Sequence, residues 1–294
     1  MDSSTLIQLN KISLYLLIIP VALFYLFKIN SIPSGMGGGE RILSGLLMIS
    51  SGILVYFSTL GLWKNRTVSL LSVFWFYFSP VILTYGRLLS PIPSGIFLIV
   101  FLFFSFIYFE NKLFKALSFI IFIILLKIIY PSFYLFNSFF DYKHYSVNFF
   151  KLISGQFLFF TNDTFWWGGA REYGILFLAV LPFLIFGLYD LLVIKGQKLK
   201  LPLYFIFSIL ILSAGSPHLP ESQEFLLAIP FFAMILGKGA HLFFSSHFST
   251  ILKYAIILSF AGFFTYQLID FTHYYFIHYS LRVRNEASYH ATAF

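Results

Sequence analysis

ILSGLLMISSGILVYFSTLGLW, residues 42–63, decides the class of fold. The stretch carries no charge and does not alternate, whereas a membrane β-barrel strand alternates apolar and polar residues over about ten positions. Wound as a helix, its 22 residues rise about 33 Å at ~1.5 Å each. That length crosses the roughly 30 Å hydrocarbon layer of a bilayer. Composition agrees: 59% of the 294 residues are apolar and 10% charged, against roughly 45–50% and 25% in soluble domains.

Working outward, eight further apolar runs stand at 12–27, 68–85, 94–109, 116–130, 173–194, 201–214, 225–244 and 251–271. The expected fold is therefore all-α: a polytopic helical membrane protein of about nine transmembrane helices, forming one domain over 1–294. The run at 201–214 is short for a bilayer and ends near Gly215-Ser216-Pro217, which suits a tilt or a broken turn. The first run lacks a small-residue cleavage pattern and is read as a retained helix. There is no cysteine, which excludes disulfides, thiolate metal sites and a cysteine nucleophile. The net charge of +8 does not indicate nucleic acid, because the basic residues are scattered between apolar runs.

Those basic residues set the orientation. Ten Lys and Arg, among them Lys64, Arg66, Lys112, Lys115 and Lys238, fall on the side of the N-terminus; five, including Arg41 and Arg87, fall in short segments on the other. The positive-inside rule then expects a cytoplasmic N-terminus and an extracytoplasmic C-terminal tail, in the cytoplasmic (inner) cell membrane. The longest connection, 131–172, lies outside in this topology. Its Phe149, Phe150, Leu152, Ile153 and Phe157 interleave with Lys151, Ser154 and Gln156, and it carries Tyr142, Tyr145, Trp166 and Trp167. That pattern predicts an interfacial cap anchored at headgroup level. A polar outward tail, 272–294, follows the last run; it is read either as the end of a fragment or as the lead into an outward soluble region.

Chemistry-bearing residues gather in the outward loops. SIPSGMGGGER, residues 31–41, sets four glycines before Glu40 and Arg41. Arg87 follows Tyr85-Gly86, and SPHLPESQE, residues 216–224, carries His218, Glu221 and Glu224. Asp163, Arg171 and Glu172 border the cap. A carboxylate suits a general base or a divalent cation, and the planar arginine fork suits phosphate. Plainer roles stand beside these. Glu40 fits the positive end of a helix dipole, Arg87 fits a side chain snorkelling to headgroups, and His218 has no second ligand at metal spacing. His273 and His278 are spaced i, i+5, which is poor for shared ligation on an α-helix. The abundant Phe and Tyr read as lipid-facing packing. Asn65-Arg66-Thr67 and Asn162-Asp163-Thr164 fit the glycosylation sequon, a short pattern.

Three stretches together resemble the integral-membrane GT-C glycosyltransferases, which include protein mannosyltransferase-like and aminoarabinose transferase-like proteins. RILSGLLMISSGILVYFSTLGLWKNR (41–66) runs on to SPVILTYGR (79–87); GQFLFFTNDTFWWGGAREYGILFLAVLPFLIFGLYDLL spans 155–192; SPHLPESQEFLLAIPFFAMILGKG spans 216–239. The resemblance implies sugar transfer from a polyprenyl-phosphate-linked donor, embedded in membrane lipid, to an outward-facing glycan, lipid or protein acceptor. Mg²⁺ or Mn²⁺ would assist. By position, Glu40 matches the second member of the family's first-loop Asp-Glu pair, as base or metal ligand. Arg87 matches the outer-loop arginine and, with Arg171, would contact the phosphate. His218 and Glu221 would border the acceptor cleft, and Arg41 and Asp163 complete the expected substrate-binding set. The chain departs from the family pattern in placing Gly39 where the Asp is expected, Leu88 after Arg87 where several relatives have Glu, and Gln223-Glu224 where relatives often have Arg. The other readings are a catalytically silent GT-C-like scaffold that binds lipid or a partner, and, ranked last, a transporter.

Overall fold

Backbone amides and carbonyls have no water to bond with inside a bilayer, so apolar segments satisfy them internally as helices. A computed structural model describes residues 3–26, 38–88, 90–129, 142–160, 173–193, 196–215, 223–246 and 249–279, and every element among them is helical. Five helices are long and apolar enough to cross a membrane: Arg41–Trp63, Pro91–Tyr108, Gln197–Ala214, Phe225–Ser245 and Tyr254–Tyr279. Ser13–Leu26 and Leu178–Val193 are shorter apolar helices.

In chain order the helices are α1 (Ser3–Leu26), α2 (Gly38–Trp63), α3 (Arg66–Tyr77), α4 (Pro80–Tyr85), α5 (Pro91–Tyr108) and α6 (Lys112–Ile129). They continue with α7 (Tyr142–Leu152), α8 (Leu181–Val193), α9 (Leu201–Ala214), α10 (Ile229–Ser245) and α11 (Thr250–His273). Helix α10 is the hub: the apolar window of the span Phe225–Ser245 that contains it is 83% buried, against 11% for that of the last span, Tyr254–Tyr279. It packs chiefly on α3 and α8. Small residues allow this closeness, since a Cβ on Gly237 would meet Ser72 of α3 and one on Gly239 would meet the Phe183 carbonyl of α8. Around the hub, Trp75, Phe183, Phe260 and Phe264 pack ring against ring, with centroids 4.8–5.8 Å apart.

Three differences from the sequence reading have local causes. The apolar run 68–85 is two helices rather than one. Pro80 has no N–H to continue α3, and the Ser79 side chain caps α4 by accepting from the Ile82 amide at 3.3 Å. The run beginning at Tyr173 starts non-helical. Gly174 lies against the Leu158 backbone, where a Cβ would stand 2.4 Å away, and the Leu176 amide donates to the Leu158 carbonyl at 2.9 Å. Finally, the last helix does not stop at Phe271. Helix α11 runs on into a π-helical turn, Tyr274–Tyr279, whose Tyr274, Tyr275 and Tyr279 are buried. The described beginning of the segment read as a tail is therefore packed structure, and 280–294 lie outside the described residues.

The described part of the segment read as a cap holds α7 and a π-helical turn, Gln156–Phe160. Helix α7 packs against α9: the Tyr145 hydroxyl donates to the Ile211 carbonyl at 3.1 Å and the Asn148 amide to the Ala214 carbonyl at 3.2 Å. Leu152 and Phe157 are buried, whereas Val147, Phe150 and Ile153 are exposed.

Candidate functional site

Helix α2 rises about 39 Å over its 26 residues, so the bundle has two distinct ends. Arg41, in the first turn of α2, and Arg87, in the turn after α4, mark one of them. Both are buried, at 4% and 1% exposure. Two enclosed cations near one another cost desolvation and repulsion. Burial pulls the Arg87 guanidinium below its usual range, Tyr275 opposes that, and the Arg41 charge adds to it.

Helices α1, α2 and α4 are brought together here by Tyr25. Its ring lies where a Cβ on Gly86 would stand, 2.3 Å away, and close to Gly45 as well. Its hydroxyl donates to the Ile82 carbonyl at 3.1 Å. Beside it, between α1 and α2, opens a cavity of about 180 Å³ lined by Ala22, Tyr25, Leu26, Arg41, Ile42, Gly45, Leu46 and Ile49. The lining is almost wholly apolar, and Arg41 is its one charged residue. Leu26, Ile42 and Leu46 continue onto the exposed surface. An apolar slot with an arginine in its wall has the chemistry to take an amphiphile with a hydrocarbon body and an anionic head.

Arg87 is held differently. Its guanidinium carbon lies 4.8 Å from the Phe276 ring centre, 5.4 Å from Tyr275 and 5.7 Å from Phe24. These distances are those of cation–π contacts. The sequence reading treats the aromatics as packing alone and misses these three. They come from the two ends of the chain, and no local spacing links them. Because the desolvation cost of the cation and its ring contacts are of similar size, Arg87→Met is expected to fold with stability changed by less than about 2 kcal/mol. Phe276→Ala removes a ring and leaves the cation, and is expected to destabilise by more than Arg87→Met does. Thermal unfolding of the two variants in detergent checks the order.

At the opposite end, Lys238 of α10 pairs with Asp190 of α8 at 3.6 Å, and His241 of α10 meets the Asn65 side chain at 3.1 Å. Asn65 also caps α3 by accepting from the Val68 amide at 3.1 Å, so the side chain of this sequon is engaged in structure.

The expected site residues thus divide. Arg41 and Arg87 converge on one end of the bundle. Glu40 belongs by its backbone to the first turn of α2, and its side chain lies outside the described residues, as do Asp163, Arg171, His218 and Glu221. Among the described residues no three His, Cys, Asp or Glu side chains gather into a metal-holding group. The fold and this site define a helical, multi-pass membrane protein with an apolar slot, lined in part by Arg41, at one end. No protein-family model, curated protein or solved structure matches the chain.

Proposed function

We propose that the protein is a membrane glycosyltransferase of GT-C type, holding a polyprenyl-phosphate-linked sugar with its phosphate at the arginine end. The observation that carries this reading is Arg41, a buried cation among the residues that line the apolar slot between α1 and α2. The slot accepts the first isoprene units, Arg41 binds the phosphate through a charge-assisted contact, and Arg87 adds its field from behind. The arginine end faces outward, as the Lys and Arg distribution implies. In this reading the bundle has nine spans, and α7 with the π-helical turn Gln156–Phe160 caps the outer mouth.

In the transfer step Glu40, at the start of α2, takes the proton of the acceptor hydroxyl as its oxygen attacks the anomeric carbon. The polyprenyl phosphate departs with the bonding electrons, and Arg41 stabilises its charge. Glu40→Gln is expected to lower transfer from a polyprenyl-phosphate sugar by about 10²–10⁴-fold while donor binding persists. Turnover equal to that of the unaltered protein removes Glu40 from the mechanism. Donor binding with no turnover in the unaltered protein establishes the second reading, a silent lipid-binding scaffold. Gly39, in place of the family's acid, favours that second reading.

A further inference from the structure

The turn that closes over Arg87 has a second, exposed side. His273 ends α11, and His278 lies in the π-helical turn that follows; both are exposed. On a regular α-helix residues five apart diverge by about 140°, which is why their spacing reads as poor for a shared ligand. A π-helical turn closes i to i+5 and brings such residues onto one side. Here the two imidazole rings stand 5.4 Å apart, centroid to centroid, at 60° to one another. Two imidazole nitrogens bound to one ion at about 2.0–2.1 Å, with angles between square and tetrahedral, place their ring centres about 4.5–5.3 Å apart. The observed separation stands at the wide edge of that range, so a small rotation of either ring brings the pair into it.

We propose that His273 and His278 form a two-histidine site for a borderline transition-metal ion, Zn²⁺, Ni²⁺ or Cu²⁺. Imidazole nitrogen selects these ions over Mg²⁺ and Mn²⁺, which prefer oxygen. No third His, Cys, Asp or Glu joins the pair among the described residues, so water fills the remaining positions and the ion exchanges readily. Neighbouring residues of the same turn face the other way: Tyr275 and Phe276 stack on Arg87, and Tyr279 is buried. A bound ion links His273 to His278 and braces the turn against the arginine end. The site stands on ring geometry and does not depend on the donor lipid.

The test is calorimetric titration of the full chain, purified in detergent without a polyhistidine tag, with zinc chloride and with nickel chloride. One saturable ion per chain is expected. Removing either ring forfeits chelation, so His273→Ala and His278→Ala should each weaken binding by about a hundredfold, whereas His247→Ala should not. Thermal unfolding should rise with zinc in the unaltered protein and stay flat in the two variants. Absence of saturable binding, or affinity unchanged in both variants, overturns the proposal.

Discussion

Gly239→Ala is expected to leave little folded protein. The added methyl would stand 1.9 Å from the Phe183 carbonyl oxygen and 2.6 Å from the Gly187 amide nitrogen. Both are backbone atoms of α8, so no side-chain rotation relieves the clash and the two helices have to separate. Gly187 makes the reciprocal contact, with its own Cβ position 2.2 Å from the Ile235 carbonyl of α10. Separating them also opens the packing of Phe183 on Trp75, Phe243 and Phe260. Overpacking commonly costs about 1–3 kcal/mol, and a backbone-to-backbone clash belongs at or beyond the top of that range. Gly262→Ala is the matched control. It lies in α11 with nothing within 4 Å of its Cβ position, and by helix propensity alone the change should stabilise by up to about 1 kcal/mol. Thermal unfolding and size-exclusion profiles should separate the two variants clearly. A Gly239→Ala protein as stable as the Gly262→Ala control would show that α8 and α10 are not packed as described.

Arg41→Gln is expected to fold and to lose binding of a polyprenyl phosphate by about a hundredfold. The size follows from a charge-assisted contact in a desolvated setting, worth roughly 1.5–3 kcal/mol, at about 1.4 kcal/mol per tenfold in affinity. Folding is expected to survive, because glutamine relieves the repulsion between two neighbouring buried cations. The readout is native mass spectrometry or displacement of a fluorescent polyprenyl phosphate, with an uncharged polyprenol as comparison. The polyprenol should bind both proteins alike, since it fills the slot without a phosphate. Equal loss of both lipids would point to a collapsed slot, and equal retention would remove Arg41 from phosphate recognition.

Much of the fold is legible in the sequence because bilayer length and backbone satisfaction leave few alternatives to a run such as residues 42–63. The break between α3 and α4 is legible too, in Ser79-Pro80, once the missing proline N–H is weighed against the apolar run that hides it. The start of α8 is less so. Tyr173 and Gly174 read as helix by hydropathy, yet Gly174 is committed to a close approach to Leu158, a contact that exists only in three dimensions. At the site, Arg41 and Arg87 stand out as cations beside glycine and proline in otherwise apolar sequence. What the sequence does not disclose is how each is housed. Three helices separate Phe24 from Arg87, and Tyr275 and Phe276 follow it by most of the chain, so their convergence is a product of packing. The histidine pair was hidden for another reason: i, i+5 spacing is judged against α-helical geometry, and the turn there is π-helical.

The most direct measurement is photo-crosslinking of the protein in lipid nanodiscs with a polyprenyl phosphate bearing a diazirine near the phosphate, followed by mapping of the labelled peptides. Labelling should concentrate on Ala22, Leu26, Ile42 and Leu46, and fall sharply in Arg41→Gln and under competition by unlabelled polyprenyl phosphate. Labelling spread evenly over lipid-facing helices such as α6 and α11, and indifferent to Arg41→Gln, would contradict a phosphate-binding slot between α1 and α2.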